Sequence, residues 1–324
     1  MLEELLTKLP PQARFPNLLV GVETSDDAAV YRISETQAVV ATTDFFLPIV
    51  DDPYDFGRIA AANALSDVYA VGGAPILALA LAGMPVSKLS TETIGRIFEG
   101  GAAICAEAGV PVAGGHTIDA AEPLYGLAAI GLIDPARIKR NADGRAGDTL
   151  ILGKGLGIGI LGAAINKDSI DEAGYAEMIA STTKLNSIGA ELAAHAGVHA
   201  MTDVTGNGLC GHLLEVCRGS RLGARIMWEA LPLLPNAVRF AEQGFNTGAV
   251  ARNWKSYEGS VSAPDSLAPW QRNFLMDPQT SGGLLVSCDP GVASDLLHMF
   301  HDRGYGHAAI IGELVAGDAK VVVS

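Results

Sequence analysis

The sequence predicts a two-domain protein of the α/β to α+β class, and three observations lead there. The chain has 324 residues, and single hydrophobic cores seldom grow beyond roughly 250–300 residues. Segments with strand and helix character alternate without a regular period, which implies layered sheets and helices and excludes a solenoid. One strongly polar stretch, Asp134-Pro-Ala-Arg-Ile-Lys-Arg-Asn-Ala-Asp-Gly-Arg-Ala-Gly-Asp148, divides the chain. A domain boundary inside it gives an N-terminal domain over 1–138 and a C-terminal domain over 139–324.

Residues 2–9 predict a short helix ended by Pro10-Pro11. The apolar run Gln37-Ala-Val-Val-Ala-Thr-Thr-Asp44 reads as a strand. Residues 55–70 are good helix formers, with Asp55 as N-cap and Gly72-Gly73 as the stop. A buried strand follows over 76–82, a helix over 91–108 closed by Gly109, and a strand over 124–133. The second half opens with a strand over 149–152 and the loop Gly153-Lys-Gly-Leu-Gly-Ile-Gly159. A long helix from about 175 to 196 leads to a strand over 198–202 and a helix over 209–217. Helices and strands then alternate to a last strand at Val321-Val-Val323.

Composition excludes several classes of function. With 49% apolar and 18% charged residues, the chain is not intrinsically disordered. Its apolar segments are interrupted well before the ~20 residues of a membrane span, and Met1-Leu2-Glu3-Glu4 lacks a signal-peptide pattern. The four cysteines, Cys105, Cys210, Cys217 and Cys288, form no CxxC pair. Neither a disulfide framework nor structural zinc is expected, and a reducing cytoplasm is. A net charge of −14 argues against broad binding to nucleic acid or anionic lipid. It also poses a question, because an acidic protein that takes an anionic ligand needs cations or local backbone donors.

Four acidic motifs answer it: Glu23-Thr-Ser-Asp-Asp27, Thr42-Thr-Asp44, Asn63 with Asp67, and Thr202-Asp-Val-Thr-Gly206. At 100° per residue, Phe56, Ala60, Asn63 and Asp67 fall within a sector of about 60°, so the polar pair shares a buried stripe. A buried carboxylate without a partner costs several kcal/mol. Asp67 should therefore meet either a core arginine, Arg58 or Arg96, or a cation shared with the other acids. Asp27, Asp44 and Asp203 taken singly read equally as caps or turn carboxylates. As an oxygen-only set they point to Mg²⁺ or Mn²⁺. Ala113-Gly-Gly-His-Thr117, Gly206-Asn-Gly208 and the 153–159 loop read as glycine-rich turns able to approach an anion, with Lys154 as a phosphate contact. His116 suits a turn as well as a catalytic role. No Walker A loop and no G-x-S-x-G elbow occurs. Cys210 and Cys217 read as a core stripe.

Together these segments resemble the selenophosphate synthetase (selenide, water dikinase) family. The resemblance lies in Asn17-Leu-Leu-Val-Gly-Val-Glu-Thr-Ser-Asp-Asp-Ala-Ala-Val-Tyr31, the block from Thr42 to Arg58, Asn63-Ala-Leu-Ser-Asp67, Gly114-Gly-His116, Met201-Thr-Asp-Val-Thr-Gly206 and Asp277-Pro-Gln-Thr-Ser-Gly-Gly283. It runs in order from about Leu2 to the C-terminus. The Asp203 and Asp277 motifs also resemble the wider superfamily of aminoimidazole ribonucleotide synthetase, whereas Thr42-Thr-Asp-Phe-Phe46 is more particular to the selenium enzyme. The resemblance implies a mixed or antiparallel sheet packed by helices in each domain, with N-terminal domains pairing into a dimeric barrel-like core. It implies conversion of ATP, selenide and water into selenophosphate, AMP and phosphate. It assigns Asp27, Asp67 and Asp203 to Mg²⁺, and Asp44 and Asp67 to the nucleotide phosphates. Thr24, Ser25 and Asp26 would contact ATP, and Gly115, His116 and Thr117 would reach it from the partner subunit of a homodimer.

One departure qualifies the expectation. Family members carry, ahead of the first helix, a glycine-rich head with a Cys or selenocysteine and a Lys. Met1-Leu-Glu-Glu-Leu-Leu6 already matches that helix and Lys8 does not match the lysine, so no catalytic residue of this kind is assigned. These 324 residues are expected to bind ATP and metal with little or no selenophosphate synthesis, through removal of the head or as a natural non-catalytic paralogue. Another ATP-dependent kinase or synthetase of the superfamily is the remaining alternative.

Overall fold

Two mixed sheets, each packed by helices, make up the computed structural model, which describes residues 15–21 and 26–324. The helix expected over 2–9 and the contacts expected of Thr24 and Ser25 lie outside the described residues. The first sheet contains β1 (Leu18–Val20), β2 (Ala29–Arg32), β3 (Ala38–Phe46), β4 (Ala74–Met84), β5 (Val112–Asp119) and β6 (Leu124–Ile133). Their spatial order is β1-β2-β3-β6-β4-β5, with β4 and β5 parallel and the other neighbours antiparallel. It does not close into a barrel within one chain.

Helix α1 (Pro53–Ala70) lies against this sheet beside α2 (Thr91–Glu107). Its cap differs from expectation. Asp52 accepts from the Asp55 N–H at 2.9 Å and Pro53 opens the helix with a preset φ. Asp55 instead pairs with Arg58 at 3.0 Å and accepts from the Tyr175 hydroxyl at 2.9 Å. Unlike a surface helix, α1 is buried on nearly every side, and its small side chains permit that. A Cβ on Gly57 would lie 1.9 Å from the Ile97 carbonyl oxygen, and one on Gly100 2.0 Å from that of Tyr54. Only glycine allows the two helices to cross this closely.

The second sheet comprises β7 (Thr149–Leu152), β8 (Val198–Asp203), β9 (Gly223–Ile226), β10 (Val261–Ser262), β11 (Leu284–Cys288), β12 (Ala309–Val315) and β13 (Val321–Val323). Its order is β10-β13-β9-β12-β7-β11-β8, parallel only at β10–β13 and β13–β9. A short helix α3 (Ile158–Ile165) follows β7. The single helix expected from about 175 to 196 is two, α4 (Glu172–Thr182) and α5 (Ile188–Ala193). Thr182 and Thr183 turn their hydroxyls back onto the Met178 and Ile179 carbonyls, and the freed Lys184 carbonyl accepts from Lys154. Helix α6 (Gly208–Ser220) follows β8. Helix α1 also packs on β8, α4 and α5, so its polar stripe sits where the two domains meet. Among the described residues, no helix is long and apolar enough to cross a membrane.

Candidate active site

Asn63, Ser66 and Asp67 lie one turn apart on α1, where the helix meets the C-terminal domain. Asn63 donates to Asp44 Oδ2 on β3, and its Oδ1 accepts the Ser281 N–H at 2.6 Å. Ser66 donates to Asp203 Oδ2 at the end of β8 and accepts from Asn186 Nδ2 at 2.8 Å. Asp67 Oδ2 accepts the Thr42 hydroxyl at 2.6 Å. Asp27, just before β2, accepts the Thr202 hydroxyl at 2.9 Å through Oδ1, while its Oδ2 is buried without a hydrogen-bond partner. Residues distant in sequence thus bring Asp27, Asp44, Asp67 and Asp203 to one place.

These carboxylates lack direct cationic partners among the described residues. The core-arginine alternative for Asp67 fails, since Arg58 pairs with Asp55 and Arg96 with Glu99. Burial pushes the Asp27 and Asp67 carboxyls well above the usual range, and the charge of Asp203 pushes them further. Asp44 rises for the same two reasons, against the Asn63 hydrogen bond. Asp203 is also raised by burial, opposed by the Ser66 hydrogen bond and by the more distant His212 and Lys154. Acids that repel one another in this way favour a cation or a proton.

The fit to Mg²⁺ follows from that donor set. Among the described residues, no group of three or more His, Cys, Asp or Glu side chains is arranged to hold a metal ion, so a site here would rest on fewer protein ligands. Mg²⁺ is typically held through one or two carboxylates, with waters and substrate phosphates completing its octahedron. Buried, mutually repelling carboxylates and the unpartnered Asp27 Oδ2 suit that mode better than a closed protein cage.

The other expected residues are placed differently. Asp26 Oδ1 accepts the Asn141 N–H at 2.7 Å, which ties it to the stretch between the domains. Gly115, His116 and Thr117 are exposed on β5, an edge strand and not the expected turn. They are separated from β3 by three strand spacings, about 14 Å, so this chain's own copies do not join its acidic cluster. Gly115 adopts φ +152°, and a Cβ there would meet the Ala80 carbonyl oxygen at 1.9 Å. Lys154 is no exposed phosphate contact, since its Nζ donates to the Lys184 and Ser281 carbonyls at 2.6 and 2.7 Å. All four cysteines are buried, and burial pushes their thiols up to about 11 for Cys105 and about 12 for Cys210, Cys217 and Cys288.

Asp277 and Gln279 belong to a brace. Gln279 Oε1 accepts the Gly157 and Ile158 N–H groups at 3.1 Å each, and Asp277 Oδ2 accepts that of Gly159 at 3.0 Å. Together they close the N-terminus of α3. Sequence reasoning missed Ser66 and Asn186 as site residues. Ser66 carried a signal, a polar side chain between Asn63 and Asp67 on a buried helix, whereas Asn186 carried none.

Comparison with known proteins agrees with this architecture. Residues 25–133 match the AIR synthase related protein N-terminal domain, and residues 145–324 match the corresponding C-terminal domain. The "Selenide, water dikinase" of Burkholderia ambifaria is 60% identical over 324 residues, covering 100% of this chain and 92% of the relative. That of Pseudomonas straminea is 58% identical, covering 100% and 91%. Among solved structures, thiamine-monophosphate kinase from Stenotrophomonas maltophilia superposes with a TM-score of 0.69 at 19% identity, covering 95% of this chain and 91% of that one. Hydrogenase maturation protein HypE in complex with ATP gives 0.71 at 17%, covering 98% and 85%. At such low identity these two report the fold. Matched in both domains by the family models, and over its whole length by close relatives, the chain belongs to the selenophosphate synthetase (selenide, water dikinase) family of AIR synthase related proteins.

Proposed function

We propose that the chain supplies the ATP and metal site of a phosphotransferase that makes selenophosphate from selenide and water, with AMP and phosphate as the other products, and that these 324 residues are impaired in the selenium step. The observation that carries this reading is the convergence of Asp27, Asp44, Asp67 and Asp203 without a cationic partner. Asp27, Asp67 and Asp203 would hold Mg²⁺, and Asp44 and Asp67 would face the phosphates. Bound there, Mg²⁺ would offset the charge of the triphosphate and the charge that develops in phosphoryl transfer. Thr42 and Thr202 orient Asp67 and Asp27, Ser66 orients Asp203, and Asn63 fixes Asp44 against the Ser281 turn. Thr24, Ser25 and Asp26 would contact the nucleotide.

The partner's Gly115, His116 and Thr117 would complete the site in a homodimer. The exposed β5 edge and the exposed Ile76, Leu79, Val112 and Ile118 favour pairing through the N-terminal sheets. The domain boundary falls at 138/139, and the dimer works in the cytoplasm without nucleic-acid or membrane partners. The selenium step needs a nucleophile these cysteines do not provide, because their buried, raised thiols yield little thiolate at neutral pH. The 324 residues therefore bind ATP and metal but form little selenophosphate by themselves.

³¹P NMR of ATP, Mg²⁺ and selenide tests the reaction, on this chain and on one carrying an N-terminal Cys and Lys segment. AMP, phosphate and selenophosphate from the longer chain are expected. ADP with a phosphorylated organic substrate, or ATP binding without turnover in both chains, overturns the reading. Calorimetry tests the metal assignment. Asp67→Asn and Asp203→Asn should each weaken Mg²⁺-dependent ATP binding by about 100-fold, as loss of a buried charge-assisted ligand implies. Unchanged affinity sinks the assignment.

A further inference from the structure

Lys154 is 4% exposed, and none of the oxygens it touches is anionic. Its Nζ donates to the Lys184 carbonyl at 2.6 Å and the Ser281 carbonyl at 2.7 Å, with Ser281 Oγ at 3.5 Å. Burial pushes the ammonium down to about 7 while the charge of Asp203 pulls it back up. A buried amine without an adjoining carboxylate is a costly way to join two loops, so what it holds matters.

What it holds is a turn under the acidic site. Ser281 has φ +48°, a left-handed conformation that residues other than glycine seldom adopt. Surrounding contacts must impose it. Lys154 fastens the Ser281 carbonyl, and Asn186 Nδ2 fastens the Gly282 carbonyl at 2.8 Å. The same Asn186 amide donates to Ser66 at 2.8 Å. On its other side the turn offers the Ser281 N–H to Asn63, which in turn donates to Asp44. Two short relays therefore run from the turn to the acids, through Asn63 to Asp44 and through Asn186 and Ser66 to Asp203.

We infer that Lys154 is a positioning residue, holding the Ser281–Gly282 turn so that Asn63 and Ser66 present Asp44 and Asp203 to a metal-bound nucleotide. The inference rests on the reading of the acidic site given above and assigns Lys154 no contact with ATP. Its loss should act on the metal-dependent part of nucleotide binding. Misplacing a group by about 1 Å is enough to cost large factors at a preorganised site.

Calorimetry with ATP, in the presence and absence of Mg²⁺, reads the metal enhancement of affinity for wild type, Lys154→Met and Lys154→Gln. Each protein is measured well below its own melting temperature. The expected result is an enhancement at least about fivefold smaller in both variants, with metal-free ATP affinity within about twofold of wild type. A merely structural lysine would lower the melting temperature and leave that ratio intact, and an intact ratio overturns the inference. If neither lysine variant folds, Lys154→Arg, which keeps the charge but not the single-nitrogen grip on both carbonyls, is read for the same ratio, and an intact ratio overturns the inference. If wild type shows no enhancement, the acidic-site reading fails and takes this inference with it. If only the variants keep the wild-type ratio, the inference fails alone.

Discussion

Residues 113–117 and 153–159 are both glycine-rich, yet the fold uses them in opposite ways. The first lies along β5, every residue exposed, at the end of a sheet. The second is largely buried, and the N–H groups of Gly157, Ile158 and Gly159 are already taken by Gln279 and Asp277. In both places glycine allows close backbone approach, at Gly115 to Ala80 and at Gly157 to Ala237, whose Cβ is 2.2 Å from where a Gly157 Cβ would be. Glycine richness therefore reports crowding and does not by itself report a ligand. What separates a binding edge from a brace is whether its donors already have acceptors.

Replacing Gln279 by alanine should break the brace most severely. It would leave two buried N–H groups without an acceptor, at a cost of about 2–4 kcal/mol, visible as a lower urea midpoint. If stability is unchanged, the loop is not braced by this side chain.

The Asp277 carboxyl sharpens the comparison through pH. Burial raises it from 3.8 to about 7 in the folded chain, against hydrogen bonds from Gln279 and the α3 N–H groups. Its contribution to stability is fully present below 3.8 and is lost as pH rises to and through about 7. The slope is about 1.4 kcal/mol per pH unit within that window. Urea unfolding of Asp277→Asn, which cannot ionise there, should gain on wild type between pH 5 and 7 and level off above. A constant difference across that range would contradict the buried-acid account.

At the open edge, His116→Ala should change stability by less than about 0.5 kcal/mol, as for most exposed positions. If the edge serves a second copy's site, the same variant should weaken ATP binding by roughly tenfold, the scale of one lost charge-assisted or polar contact. A large loss of stability with unchanged binding would reverse the roles of the two segments.

The sequence made the polar stripe of α1 legible, because helical spacing places Asn63 and Asp67 with Phe56 and Ala60 whatever the rest of the fold does. Strands such as 124–133 and 149–152 were equally plain from their apolar runs and flanking turns. The break between α4 and α5 was not, since residues 183–187 have no proline or glycine. The interruption comes from threonine hydroxyls and from a carbonyl claimed by Lys154. Asp52 displaced Asp55 as the cap because the next residue is Pro53, a first-turn signal outweighed by the helix-forming run that follows. At the site, the acids stood out as charges amid apolar segments. Asn186, Ser281 and Lys154 did not, because their telling bonds join distant parts of the chain: Lys154 to Ser281 across 127 residues, Ser281 to Asn63 across 218 and Asn186 to Gly282 across 96.

The bare edge of β5 also bears on how the protein behaves in concentrated solution. An unpaired strand edge invites lateral pairing with any other strand, and proteins usually deter it with lysine, proline or a cover. Residues 112–119 contain neither lysine nor proline, and none is shielded among the described residues. The remaining deterrent is mutual repulsion between molecules that each carry a net charge of −14. Salt weakens that repulsion by shortening its range to about 10 Å at 0.1 M. Ionic strength then becomes the control on how readily a second copy reaches this edge: dilute buffer slows the encounter, and brine lets edges find one another.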